Sequence, residues 1–209
     1  EIKTQRDQFS ALGQYSFSDS TSITAGVDFY TEEVSTDTDK DPWTAGFQKW
    51  AVEERDVSAI FIQARHQVDS FLFEGAVRRD DIQNVEVEAT YNASVGYQIN
   101  DSWLVSLNRS TGFKAPSFND LYWPGSGNPD VKPESITSNE ILIRNQFSHN
   151  GFDGSVEVSF FDSEIENLIA WAPNASGAWQ PSNINQADIQ GIEFTLNATN
   201  GDFRHQLAI

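Results

Sequence analysis

Three aspartates at alternate positions are the residues of this sequence best suited to binding chemistry. They are Asp37, Asp39 and Asp41. Carboxylates at this spacing, in the long connection Glu33–Glu54, suit a hard cation such as Ca²⁺. The stretch departs from an EF-hand loop, because Pro42 stands where that loop needs glycine and Gln48 where it needs its bidentate glutamate. The sequence therefore predicts a Ca²⁺ site or, as the favoured alternative, a solvated acidic loop.

No other group of residues has the spacing of a catalytic centre. His66, His149 and His205 are scattered and share no metal-ligand spacing. The chain has no cysteine, which excludes a catalytic thiol, a disulfide and a thiolate zinc site. No serine stands in a nucleophile elbow, and no glycine-rich phosphate loop is present. We therefore predict that the protein is not an enzyme.

Charge and hydropathy narrow the class of partner. Thirteen basic against 31 acidic residues give a net charge of −18. Nucleic acid is excluded as a partner, because phosphate binding needs a basic surface. Such acidity favours cations, including divalent ions that bridge to anionic lipid headgroups, or it serves solubility alone. No run of 18 apolar residues exists, which excludes a transmembrane helix but leaves a β-barrel open.

The segment Val85–Ile99 indicates which type of secondary structure positions the candidate residues. Apolar residues occupy every odd position, and polar residues or glycine every even one. Side chains of a strand point alternately to opposite faces, so this segment has one apolar and one polar face. Its 15 residues exceed the roughly 9–11 that a tilted strand needs to cross a bilayer. We expect a strand that separates lipid from water.

The same alternation recurs along the chain and predicts about ten strands with no amphipathic helix. Short turns, such as Asn100–Ser102, alternate with the long connections Glu33–Glu54, Gly112–Glu134 and Ser163–Ala187. This asymmetry, with aromatic residues beside many short turns, is typical of an antiparallel meander in an outer-membrane β-barrel. The alternative of another class is a soluble secreted carbohydrate-binding β-sandwich that uses tryptophan faces.

One stretch is more specific than periodicity. Thr111–Glu134, TGFKAPSFNDLYWPGSGNPDVKPE, resembles a loop segment of the TonB-dependent outer-membrane receptors. Phe71–Asp81 resembles a strand of the cobalamin (vitamin B12) branch of that family. Phe161–Ile169 and Asn183–Thr195 resemble a later hairpin and strand, and all four pieces follow the family order.

The resemblance implies an all-β fold, part of a 22-stranded transmembrane barrel with a plugged lumen. Residues 1–209 would form a partial barrel domain, with the plug domain and the closing strands absent. The implied function is uptake of cobalamin, or alternatively of a siderophore or haem, across the outer membrane of a Gram-negative bacterium. The implied partners are outer-membrane lipid, the small-molecule ligand, and TonB through the plug. Ca²⁺ is possible in the full receptor, and no cofactor is expected on residues 1–209 alone.

The family-like loop carries the candidate ligand-binding residues. They are Phe118, Asn119, Tyr122 and Trp123. In the whole receptor these side chains could contact ligand, or they could form a packed loop base in which several prolines limit the freedom of the chain. Trp171 and Trp179 lie in the next long connection. They could line the outer vestibule, but hairpin pairing across Asn174–Gly177 is the favoured expectation.

Overall fold

The computed structural model describes residues 2–36, 50–184 and 186–209. They form a ten-stranded antiparallel sheet in which sequence neighbours pair, and a separate two-stranded hairpin between the eighth strand and the next strand of the sheet. The strands are β1 (Ile2–Ser18), β2 (Thr21–Thr36), β3 (Glu54–Val68), β4 (Phe71–Ile82), β5 (Glu88–Asn100), β6 (Trp103–Lys114), β7 (Glu134–His149), β8 (Phe152–Glu166), β9 (Ile169–Pro173), β10 (Trp179–Asn183), β11 (Ala187–Asn200) and β12 (Phe203–Ala208). The predicted meander is confirmed, and the sheet does not close into a barrel.

Short and long connections alternate along the sheet, as predicted, except for residues 83–87 between β4 and β5, which form a connection of intermediate length. Five of them have two residues each: 19–20, 69–70, 101–102, 150–151 and 201–202. Asp69 and Asn150 adopt positive φ angles of 50° and 51°, as two-residue hairpin turns require. The first long connection begins after Thr36 and the third after Glu166, each later than predicted. The strands are longer than predicted because their backbone pairing continues, as between Glu33 on β2 and Glu54 on β3.

The strand β5 has the predicted facing but a later start. Val85 N–H donates to the Ile82 carbonyl at 3.0 Å, and Asn84 has a φ of 63°. Residues 83–85 thus form a turn, and the strand begins at Glu88 and not at Val85. Within it Ala89, Tyr91, Ala93 and Tyr97 are exposed, whereas Thr90, Asn92 and Ser94 are half-buried. The preceding turn therefore delays the start of the strand, and the period of two holds within it.

An apolar face runs across the five strands β4 to β8. Register partners on five successive strands form one row: Phe73, Val95, Leu107, Ile141 and Phe160. Within this row Leu107 is 49% exposed and Ile141 is 45% exposed, although both side chains are apolar. The opposite face, which we call the polar face, is the more buried one in β5. A sheet that shelters its polar side chains and exposes its apolar ones is the inverse of a soluble domain.

Two glycines on the polar face make room for aromatic rings. A Cβ on Gly26 would lie 2.5 Å from Cζ of Phe61, its register partner on β3. A Cβ on Gly191 would lie 2.7 Å from Cζ of Phe161, its partner on β8. Each ring therefore occupies the space beside a glycine where the Cβ of any other residue would clash with it.

A short helix, α1 (Phe118–Tyr122), lies in the second long connection. The sequence predicted no amphipathic helix of period 3.6, and α1 has too few residues to be one. Ser117 Oγ accepts the Asp120 N–H at 3.2 Å, while Asp120 Oδ2 accepts the Ser117 N–H at 2.9 Å. This reciprocal capping box stabilises a helix of five residues, which is too short to show a period of 3.6. In the described residues no helix is long and apolar enough to cross a membrane.

Candidate functional site

The long connections meet in an apolar cluster, which we call the loop base. Its members are Val34, Trp50, Val52, Phe118, Tyr122 and Trp123. The Trp50 and Trp123 rings pack edge to face at a centroid distance of 5.6 Å. The indole Nε1 of Trp50 donates to Thr36 Oγ1 at 2.8 Å. The cluster joins the residues on both sides of the first long connection to the second one.

The structure places three of the four candidate ligand residues in this cluster. Phe118 is only 9% exposed, and Tyr122 and Trp123 are half-buried against it. Packing of the loop base therefore accounts for these aromatic side chains. Asn119 is exposed instead and borders a groove with a volume of about 510 Å³. Contact of any of the four residues with a ligand stays a prediction.

Arg55 ties the loop base to the sheet. Its Nε and Nη2 each lie 2.7 Å from Glu32 Oε2, and its Nη1 donates to the Pro116 carbonyl at 2.8 Å. The guanidinium carbon also lies 5.1 Å from the centre of the Phe118 ring. Only 9% of Arg55 is exposed, so one buried cation connects β2, β3 and the second long connection. Sequence reasoning missed this residue.

Asp120 connects α1 to the hairpin β9–β10. Its Oδ2 accepts the Ser117 hydroxyl at 2.6 Å, and its Oδ1 accepts Nε1–H of Trp171 at 2.9 Å. Both carboxylate oxygens are thus engaged in a site where Asp120 is 9% exposed. The Ser-x-x-Asp spacing could have indicated the cap, but nothing local to the sequence indicates Trp171.

A second group of hydrogen bonds joins the same two connections. The Asn183 side chain accepts the Lys132 N–H at 2.8 Å and donates to the Lys132 carbonyl at 2.9 Å. The Asn128 side-chain amide donates to the Pro181 carbonyl at 3.0 Å. The second and third long connections therefore form one structural unit.

Trp171 and Trp179 lie in the hairpin, as expected. Trp171 pairs with Pro181 and Trp179 with Pro173, so both indoles are on the same face of the hairpin. Their environments differ, because Trp171 reaches Asp120 whereas Trp179 is 60% exposed near the tip. The predicted pairing across Asn174–Gly177 is confirmed.

The Trp171→Phe variant should loosen the hairpin from α1. Phenylalanine keeps most of the apolar area but removes the donor to Asp120, at a cost of roughly 1.5–3 kcal/mol for a hydrogen bond to a charged group. Faster amide hydrogen exchange in β9 and β10 would report this loss. Trp179→Phe is the matched control and should leave exchange unchanged, so equal effects of both variants would refute the role of the Asp120 contact.

Charged side chains pair in the second half of β4. Arg78 lies 2.9 Å from Asp80 and 2.7 Å from Asp28, on the polar face. Arg79 lies 3.8 Å from Asp81, and both of these side chains are more than half exposed. The Arg78 contacts are ion pairs within the sheet and not a catalytic arrangement.

The candidate Ca²⁺ ligands cannot be placed. Asp37, Asp39 and Asp41 lie outside the described residues, so the site stays a prediction. Within residues 2–36, 50–184 and 186–209, no group of three or more His, Cys, Asp or Glu side chains could hold a metal ion. His66, one of the scattered histidines, contacts Thr21 Oγ1 through Nδ1 at 2.8 Å.

This architecture is that of a receptor barrel wall, and the sequence matches the family described as TonB dependent receptor-like, beta-barrel. The match covers residues 2–208. The chain belongs to this family of TonB-dependent receptors.

The most similar relatives include two vitamin B12 transporters named BtuB. The one from Photobacterium profundum is 37% identical over 212 residues, covering 100% of this chain and 33% of the relative. The one from Vibrio vulnificus (strain YJ016) is 32% identical over 206 residues, covering 98% and 32%. The chain thus spans about a third of the length of these relatives.

Solved structures share the fold at low identity. A double mutant of the Serratia marcescens hemophore receptor HasR, in complex with HasA and heme, gives a TM-score of 0.79 at 16% identity. The alignment covers 99% of this chain and 41% of HasR. The siderophore receptor PirA from Acinetobacter baumannii gives a TM-score of 0.71 at 19% identity, covering 97% and 35%. These likenesses establish the fold alone.

Proposed function

We propose that this chain is part of the wall of an outer-membrane receptor that takes up cobalamin in a Gram-negative bacterium. The observation that carries the proposal is the similarity of almost the whole of this chain to vitamin B12 transporters, at 37% and 32% identity. The transported molecule is a ligand, and the chain itself performs no chemical conversion of it.

The apolar face supports a position in a lipid bilayer. Strands β1 to β8 and β11 have 12–17 residues, more than the roughly 9–11 needed to cross. Aromatic rings cluster beside the short turns, with Tyr15 and Phe17 at 4.8 Å and Phe71 and Tyr97 at 4.7 Å between centroids. Amphipathic aromatic rings at strand ends are typical of a membrane–water interface.

The polar face supports a hydrated or plugged lumen. Asn92 Nδ2 donates to Asn108 Oδ1 at 2.9 Å, and Arg144 lies 2.9 Å from Glu157. Such hydrogen-bonded and ion-paired residues need water or polar protein beside them, which a barrel interior provides.

The remaining assignments concern the whole receptor. Residues 1–209 would belong to its barrel domain, and TonB would act through the plug domain that the family resemblance implies. Ligand would bind at the long connections, where Asn119 borders the groove described above. Ca²⁺ on Asp37, Asp39 and Asp41 would order the first of them, because bound cations hold acidic loops together.

Uptake by the whole receptor that contains this chain tests the proposal. In a bacterial host lacking its own cobalamin receptor, we expect the receptor to restore uptake of labelled cobalamin. Uptake should stop when TonB is deleted or the proton gradient is dissipated. Restored uptake of a ferric siderophore or of haem, with none of cobalamin, would contradict the proposal and assign the receptor to another branch.

A further inference from the structure

We propose that the apolar face carries a binding site for the phosphate of an anionic lipid headgroup, centred on Arg109 with Arg79 beside it. This inference rests on the membrane location in the proposed function but not on the transported ligand. It adds a defined lipid contact to a face that otherwise needs only hydrocarbon.

Arg109 is on the apolar face by its register. It pairs with Ala93 on β5 and Asn139 on β7, and it lies two residues from Leu107 on the same strand. Residues two apart in a strand share a face. The side chain is exposed, so its guanidinium lies on the face that we assign to lipid.

The guanidinium is held by neutral groups alone. Its Nε donates to Tyr91 Oη at 3.0 Å, and its Nη1 donates to Asn139 Oδ1 at 2.7 Å. In the part of the chain that the structure describes, no carboxylate lies within 4.0 Å of Arg109. Six other arginines each have such a partner: Arg6, Arg55, Arg65, Arg78, Arg79 and Arg144. The Nη2 donors of Arg109 stay available to a ligand.

The position along the strand places this charge within the lipid-facing band, beyond its middle on the side of the long connections. Arg109 lies six residues beyond Trp103, the first residue of β6 after a short turn. At about 3.3 Å per residue and a tilt of about 40°, that is roughly 15 Å above the turn, within an apolar band of about 25 Å. A long arginine side chain reaches from there toward the headgroups on the side of the long connections.

Arg79 adds a second cation about 5 Å further toward the long connections. It lies eight residues beyond Phe71, the first residue of β4, and two strands from Arg109. Its ion pair with Asp81 is long, at 3.8 Å, and both side chains are more than half exposed. Solvated pairs of this kind are weak, so Arg79 can also contact an anion.

The chemistry of these groups selects a phosphate. A charge among lipid chains needs a counter-charge, and the protein supplies none at Arg109. The planar guanidinium fork, fixed by Tyr91 and Asn139, can present parallel donors to two phosphate oxygens. An anionic headgroup brings a net negative charge, which a zwitterionic one lacks.

Lipid binding by the whole, delipidated receptor in detergent tests the site. Native mass spectrometry would count bound phosphatidylglycerol and phosphatidylcholine on the wild type, Arg109→Gln and Arg65→Gln. Arg65 is the matched control, because it is on the polar face and 3.6 Å from Glu74. We expect Arg109→Gln to lower the affinity for phosphatidylglycerol about tenfold, and Arg65→Gln to leave it unchanged.

Two outcomes would overturn the site. One is wild-type phosphatidylglycerol binding by Arg109→Gln, and the other is an equal loss for phosphatidylcholine, which would indicate contact with lipid chains alone. Cobalamin binding by Arg109→Gln serves as the check on folding and on the proposed function. If the wild type bound no cobalamin but its phosphatidylglycerol binding still depended on Arg109, the proposed function would fail and the lipid site would stand.

Discussion

The Leu107→Lys variant should destabilise the whole receptor in a bilayer by about 2–4 kcal/mol, the cost of a lysine on the lipid face of a barrel near the midplane. Leu107 is 49% exposed and pairs with Val95 and Ile141 in the apolar row. In lipid this exposure places the new ammonium among acyl chains, which cannot solvate it. Denaturant unfolding of the receptor in vesicles would measure the change.

Ser106→Lys is the matched control for that variant. Ser106 is the preceding residue on β6, and its side chain is on the polar face, where water or polar groups can solvate a charge. We expect it to change the free energy of unfolding by less than about 1 kcal/mol. Equal destabilisation by both substitutions would contradict the assignment of the two faces.

The Arg55→Ala variant should weaken the loop base by roughly 3 kcal/mol, the scale for removing one partner of a buried ion pair. Glu32 would lose both contacts at 2.7 Å, and the Pro116 carbonyl would lose its donor. We expect faster proteolysis and faster hydrogen exchange in α1, with the strands near the short turns unaffected.

Arg65→Ala removes an arginine whose ion pair is exposed. Its contact with Glu74 is 3.6 Å long, with side chains 53% and 37% exposed. Exposed pairs contribute about 0–1 kcal/mol, so proteolysis of the long connections should stay at the wild-type rate. Wild-type protection of α1 in Arg55→Ala would show that the loop base does not depend on this cation.

Local patterns predicted the sheet well because its rules are local. Alternation assigned the faces of β5, and turn residues assigned the order of the strands. One error lies where another local interaction competed: the turn at Asn84 delays the start of β5 to Glu88. Periodicity also could not reveal α1, which the cap between Ser117 and Asp120 stabilises at a length of only five residues.

The candidate site was less predictable because its contacts are distant in sequence. Arg55 reaches Pro116 across 61 positions, and Asp120 reaches Trp171 across 51. Neither contact leaves a periodic or spaced signal. The aromatic candidates were recognised as a group, but the sequence could not distinguish ligand contact from packing, which is what the structure shows for Phe118.

Accessibility of spin labels along β5 tests most directly whether this sheet separates lipid from a polar interior. Residues 1–209 contain no cysteine. A single cysteine introduced at one of positions 89–98 of the whole receptor is therefore the only labelling site in this part of the chain. In bilayers, we expect oxygen, which concentrates in lipid, to reach labels at Ala89, Tyr91, Ala93, Val95 and Tyr97. A water-soluble nickel complex should instead reach those at Thr90, Asn92 and Ser94. Equal access of both reagents to both sets, or the reverse phase, would contradict the account.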